Sequence, residues 1–120
     1  MTVVGVIRAV WGAALLLAPG AAWRLAGSGD PDPAARLLTR VLGGRELVQA
    51  IVAARHCSRF STFAGVAVDA THASTMLAVA TARPADRRPA TASALAAGSF
   101  AIAGLWAGRN LTAGGSAPRC

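Results

Sequence analysis

The chain has no lysine and no tyrosine, and only two cysteines. Charged residues fill 14% of its 120 positions and aromatic residues 5%. Soluble domains carry about 25% charged residues, and a small domain needs polar cover all the more because its surface-to-volume ratio is high. With 54% hydrophobic residues and a mean hydropathy of +0.49, this chain cannot cover itself as a soluble monomer, nor does it have the composition of a disordered tail. Its formal charge of +7 comes from arginine alone. The arginines are scattered through apolar segments and their connectors, with no basic stripe interleaved with aromatics, so no nucleic-acid partner is expected. Basic residues at the edges of a membrane are the reading that fits, with the lipid bilayer as partner. Cys57 and Cys120 form no CxxC pair, and His56 beside Cys57 is poor geometry for one tetrahedral ion. Both are read as ordinary thiols, and no metal or cofactor is expected.

What is present is a set of four apolar segments, enough for one domain. They run over about 2–18, 34–54, 60–82 and 90–107, leaving 110–120 as a flexible tail. Pro19-Gly20 stops the first, and Asp32-Pro33 is an N-cap followed by proline at the first helical position of the second. Arg83-Pro84 follows the third and Pro89 precedes the fourth. Each segment is close to the length a helix needs to cross about 30 Å of hydrocarbon, and the connectors are short enough for antiparallel hairpins. The alanine content and the lack of strict alternation argue against strands. The fold expected is all-α, an antiparallel bundle of four transmembrane helices. Gly104 and Gly108, with Ala94, Ala97 and Ala101, are small residues at spacings that let helices approach closely in lipid. A cleavable leader ending near Ala18-Pro-Gly-Ala-Ala is an alternative for the first segment. Against it, Thr2–Ile7 is apolar with no basic cluster.

The second segment is the least apolar, holding Arg36, Arg40, Arg45, Glu46 and Gln49. At 100° per residue these fall on several sides, and only Leu37, Val41, Val48 and Val52 make an unbroken apolar stripe. An interfacial helix keeps one polar face throughout. This pattern instead suits a crossing helix with a narrow lipid face.

An ionisable residue inside a membrane is costly unless paired, so depth is informative. In four antiparallel helices rising 1.5 Å per residue, Arg8 lies roughly 9 Å from the start of the first. Arg45 and Glu46 lie about 12 to 14 Å from the end of the second, Asp69 about 13 Å into the third, and Ser99 about 12 Å from the end of the fourth. All refer to the same side of the bilayer. Arg8, Arg45, Glu46 and Asp69 are therefore expected in one layer of zero net charge. His72 follows one turn deeper than Asp69 on nearly the same face. Arg40 lies deeper still, near enough to approach His72 or to snorkel, and with Gln49 and Ser99 it forms a second tier.

Two readings of this layer stand open. It is a neutral ion-pair network fixing helix register, or a site: an Arg-lined pocket for an anion or lipid head group, or a carboxylate–histidine proton relay in which Asp69 orients His72. Catalysis has less to rest on. Thr71, Ser74 and Thr75 surround His72, but nothing supplies an oxyanion hole, and hydroxyls in such helices usually bond back to the backbone. No catalytic residue is assigned.

LGGRELVQA (Leu42–Ala50) and VDATHASTM (Val68–Met76) resemble paired signatures of small, uncharacterised four-helix membrane proteins of actinobacteria. RAVWGAALLLAPGAAWRL (Arg8–Leu25) is similar to their Arg-x-x-x-Gly first helix and, more loosely, to that of DoxX-like proteins. The pattern recurs at Arg40/Gly44. The resemblance implies the four-helix architecture and little mechanism. Small multidrug exporters share the length, but their helix-one glutamate has no counterpart here, where that helix carries Arg8. The function expected is that of a non-enzymatic accessory or assembly component, multi-pass in a bacterial inner membrane, with a membrane-protein partner or a second copy. A carrier or binder of a small anion, head group or proton is the alternative, and a small membrane enzyme the third. Orientation is open, because Arg55, Arg59, Arg109 and Arg119 on one side balance Arg24, Arg83, Arg87 and Arg88 on the other.

Overall fold

A computed structural model describes residues 3–56 and 58–113. Both cysteines, and the end of the expected tail at 114–120, lie outside the described residues. Among those described the chain is all-helical, with no strand: α1 (Val3–Leu17), α2 (Pro19–Leu25), α3 (Pro33–Arg55), α4 (Arg59–Ala82) and α5 (Arg87–Ala113), with a short 3-10 turn at Pro84–Asp86.

Local chemistry sets the ends. Ala18, placed before a proline, takes φ −134° and ψ 59°, because the proline ring disfavours helical backbone in the preceding residue. Pro19 then opens α2, since a first-turn position needs no N–H. The expected stop at Pro19-Gly20 is thus a corner: the helical path bends by 110° between α1 and α2. Gly27, the one described residue with positive φ (76°), ends α2, with Ser28 N–H donating to Trp23 O and Gly27 N–H to Arg24 O. This is the Schellman pattern that glycine enters without steric cost. Asp32 caps α3 by accepting from Ala35 N–H at 2.7 Å, with Pro33 in the first turn as expected. Ser58 and Ser61 cap α4 reciprocally. Arg83, again before a proline, is extended and closes α4. Pro89 does not precede the last helix but sits within its first turn, so α5 starts earlier than expected. It also runs to Ala113, into the stretch expected to be tail.

The four long helices pack as two pairs, α1 with α3 and α4 with α5, each antiparallel by its contacts: Gly12 with Gly43 but Arg8 with Gln49, and Val66 with Gly104 but His72 with Ser93. In the α1–α3 pair, Gly12 crosses Gly43 backbone to backbone. A Cβ on Gly43 would lie 2.6 Å from Gly12 O and 2.7 Å from Leu16 N, and one on Gly12 would lie 2.8 Å from Gly43 O. In the α4–α5 pair, a Cβ on Gly104 would lie 2.6 Å from Val66 Cγ2, and Gly108 packs against Phe63 and Thr62. Ala90, Ala94, Ala97 and Ala101 are the buried face of α5. The small residues of the last segment therefore serve close packing within the chain. The recurrent Arg40/Gly44 pattern does not: Arg40 is exposed and a Cβ on Gly44 would meet nothing within 4 Å. α2 is tied to α3 by Trp23 Nε1–H donating to Thr39 Oγ1 at 3.0 Å. Arg88 at the start of α5 donates to Gly27 O at 2.8 Å.

Between the pairs packing is sparse. Leu15 is the one large side chain in the described hydrophobic core, the rest being alanine. Meanwhile Val3, Val10, Leu37, Val41, Val48, Phe60, Leu95, Ile102 and Trp106 point outward. By length and composition α4 and the stretch Pro84–Asn110 can each cross a membrane, and α1 with α2 could do so only as a bent pair. α1 alone has 15 residues. α3 has 23, but Arg36, Arg40, Arg45 and Glu46 within it keep it outside this group.

Adjacent glycines separate packing from propensity. Gly43→Ala should destabilise the detergent-solubilised protein by about 1–3 kcal/mol, the usual cost of overpacking. Gly44→Ala should be neutral or gain up to roughly 1 kcal/mol from helix propensity. Denaturation of both variants under one condition reads the difference.

Candidate functional site: a buried ion cluster between two helix pairs

α1 ends one turn beyond the Gly12–Gly43 crossing, and the crossing holds Arg8 one turn before it. From there the guanidinium reaches both α3 and α4. Its Nη1 donates to Glu46 Oε2 at 3.0 Å, to Asp69 Oδ1 at 3.1 Å and to Gln49 Oε1. Its Nη2 donates to Asp69 Oδ2 at 2.5 Å. Arg8 thus grips Asp69 with two nitrogens, the fork geometry that makes arginine–carboxylate pairs strong. Arg45, from α3, bridges the same two acids, Nη1 to Glu46 Oε1 at 2.9 Å and Nη2 to Asp69 Oδ1 at 3.1 Å. α5 contributes a ring: the Arg8 guanidinium carbon lies 4.4 Å from the centroid of Phe100, within cation–π range.

The arrangement is neutral and closed. Two guanidinium groups face two carboxylates, and all four carboxylate oxygens accept at least one charged hydrogen bond. Asp69 is fully buried. Among the described residues no buried side-chain polar atom lacks a partner. Arg45 is the looser member: its side chain is 25% exposed, against 10% for Arg8, 4% for Glu46 and 1% for Asp69.

Arg8, Arg45, Glu46 and Asp69 therefore stand together, with Gln49 from the second tier. The other expected members do not. His72 shares a face of α4 with Asp69, but its Nε2 pairs with Ser93 Oγ of α5 at 3.0 Å. Arg40 is exposed and reaches neither His72 nor the cluster. Ser99 is exposed, and its hydroxyl donates to Leu95 O of its own helix at 2.8 Å. The α5 residue that does meet the layer is Phe100, the next along the chain. Ser99 and Phe100 differ in height by about 1.5 Å but in direction by about 100°, so depth alone could not separate them. Thr71, Ser74 and Thr75 donate to Ala67 O, Ala70 O and Thr71 O. Their protons are turned to the backbone and not to His72.

Two spaces adjoin the cluster. An open groove of about 430 Å³ lies between α3 and α4, lined by Arg45, Ala67, Val68, Thr71, His72 and Thr75. On the inner side of His72 is a void of about 10 Å³ bounded by Trp11, Glu46, Ser93 and Phe100, at the lower limit for one water.

The geometry ranks the arginines and acids. Asp69→Ala strands Arg8 without its main partner and should cost about 3–5 kcal/mol, as removal of one side of a buried ion pair does. Arg40→Ala, on an exposed side chain, should stay within about 0.5 kcal/mol. Unfolding in mild detergent measures both. The geometry is also what there is to reason from, because no protein-family model, no curated protein and no solved structure matches the chain.

Proposed function

We propose that the chain is a multi-pass integral membrane protein in which α1 (together with α2 as a bent pair), α3, α4 and α5 cross a bacterial inner membrane as a four-helix antiparallel bundle. It acts there as a non-enzymatic accessory or assembly component. The observation that carries this reading is the cluster itself: neutral, with every carboxylate oxygen paired, and joining two helix pairs that otherwise touch little. Such a cluster suits a device that fixes which helices meet and in what register. The inverted surface supports the bilayer placement. Large apolar side chains face outward and alanine, glycine and the ions face inward, as expected where lipid is the solvent. α3 enters the bilayer in this proposal because its mid-helix charges, Arg45 and Glu46, are turned into the cluster, while Leu37, Val41, Val48 and Val52 are exposed and form its lipid face. The likeness of Leu42–Ala50 and Val68–Met76 to small actinobacterial four-helix membrane proteins, loosely DoxX-like, belongs to the same proposal. Arg45, a quarter exposed where it borders a groove, favours the second reading, a binder.

Three measurements test it. In a double-mutant cycle, Arg8→Ala and Asp69→Ala together should cost less than their sum, by about 0.5–3 kcal/mol; additive costs would remove the network. In a chain with Cys57→Ser and Cys120→Ser, Val48→Cys should stay unlabelled by a membrane-impermeant maleimide added to either side, and rapid labelling would take α3 out of the bilayer. A tagged copy recovered from native membranes in mild detergent should bring down a membrane protein in fixed ratio. Recovery as a lone folded monomer would overturn the accessory role.

A further inference from the structure

The groove between α3 and α4 has a feature that the register role leaves unexplained. Arg45 stands mid-helix, with twelve residues of α3 before it and ten after, or about 18 and 15 Å of helix. Thr71 and His72 stand at the middle of α4. At that depth an ionisable group belongs in the bundle interior or in a polar cavity, yet Arg45 forms part of the wall of a groove that opens sideways. It directs one N–H to Glu46 and one to Asp69. A guanidinium has five, so donors remain for the groove, and an N–H left facing hydrocarbon is costly.

We propose that this groove is a binding site for a lipid-soluble molecule with an uncharged carbonyl head group (a ketone, ester or amide), which accepts hydrogen bonds from Arg45. The inference rests on α3 and α4 crossing the bilayer. Four features of the groove select this chemistry. The mouth lies on the flank of α4, where Ala67, Val68, Thr71 and Thr75 are exposed, so a ligand enters from the lipid. The stretch from Ala67 to Thr75 covers two turns, about 12 Å, and its apolar residues accept a chain. The cluster behind Arg45 already balances two positive with two negative charges. An anion would add a net charge in a medium of low dielectric and would face Glu46 and Asp69, whereas a neutral acceptor satisfies the donors and leaves the balance intact. The Thr71 and Thr75 hydroxyls, which donate to their own helix, offer no competing protons.

Thermal unfolding of the full chain in mild detergent provides the test, with undecyl methyl ketone, dodecanoate and tridecane as probes of matched length. The ketone should raise the unfolding midpoint by about 4 °C or more when well above its dissociation constant, and tridecane should not. Bound ketone should show its carbonyl infrared band moved to lower wavenumber. Ala67→Phe, which fills the groove outside the ion cluster, should keep the basal midpoint and lose the shift. Thr75→Leu serves the same purpose if the first variant does not fold. A ketone effect no larger than that of tridecane, or one that persists in the filled groove, overturns the site. An equal or larger effect of dodecanoate overturns the neutral head group. These readings in detergent do not depend on α3 crossing a bilayer, which the maleimide labelling of position 48 reads separately.

Discussion

Arg8 holds both oxygens of Asp69 across the gap between the α1–α3 and α4–α5 pairs, and most of what joins the two halves passes through that grip. Each pair has its own close contacts, glycine against glycine in one and glycine or alanine against α4 side chains in the other. Between the pairs there is little packing to share the load. Two buried charges joined this way gain strongly from their mutual attraction only because each also meets other partners: Glu46 and Gln49 for Arg8, Arg45 for Asp69. Remove one, and a charge is left in a space without water to receive it. The network therefore has few tolerable partial states, which is what the proposed register role requires.

Small residues inside and large ones outside are the complement of that arrangement. Where lipid surrounds a helix, burying leucine offers little gain, and close backbone approach with interhelical polar contacts drives association instead. The Gly12–Gly43 crossing fits this logic and also serves the cluster. By bringing α1 against α3 it places Arg8 within reach of Glu46 and Gln49, so a backbone contact one turn away decides whether the ions can meet.

Depth was readable in the chain and azimuth was not. Counting 1.5 Å per residue from proline and glycine breaks brought Arg8, Arg45, Glu46 and Asp69 to one level because those breaks are encoded locally and the pairing requirement is strong. The same count put Ser99 at that level too, and only the rotation of α5 replaces it with Phe100. His72 followed Asp69 by helical spacing, yet its partner is Ser93, a choice set by how α4 leans on α5. Arg40 was near in height and wrong in direction. The α1–α2 corner was missed for a related reason: proline that ends one helix is equally suited to begin the next, and nothing local distinguishes a stop from a turn.

The unequal burial of the two arginines carries one more consequence. If the cluster served register alone, both guanidinium groups would gain by being enclosed, since every N–H left over at mid-helix adds cost. Arg8 meets that condition through Glu46, Gln49, Asp69 and the Phe100 ring. Arg45 meets the same two acids but keeps a quarter of its side chain open to the groove. A helix as rich in alanine as α4 could close over it by a single larger residue at Ala67 or Thr71. The chain instead has small residues there, so the opening is a property of the α4 flank as well as of Arg45. An opening bounded on one side by a charge and on the other by small residues is the feature that the proposed carbonyl site would use.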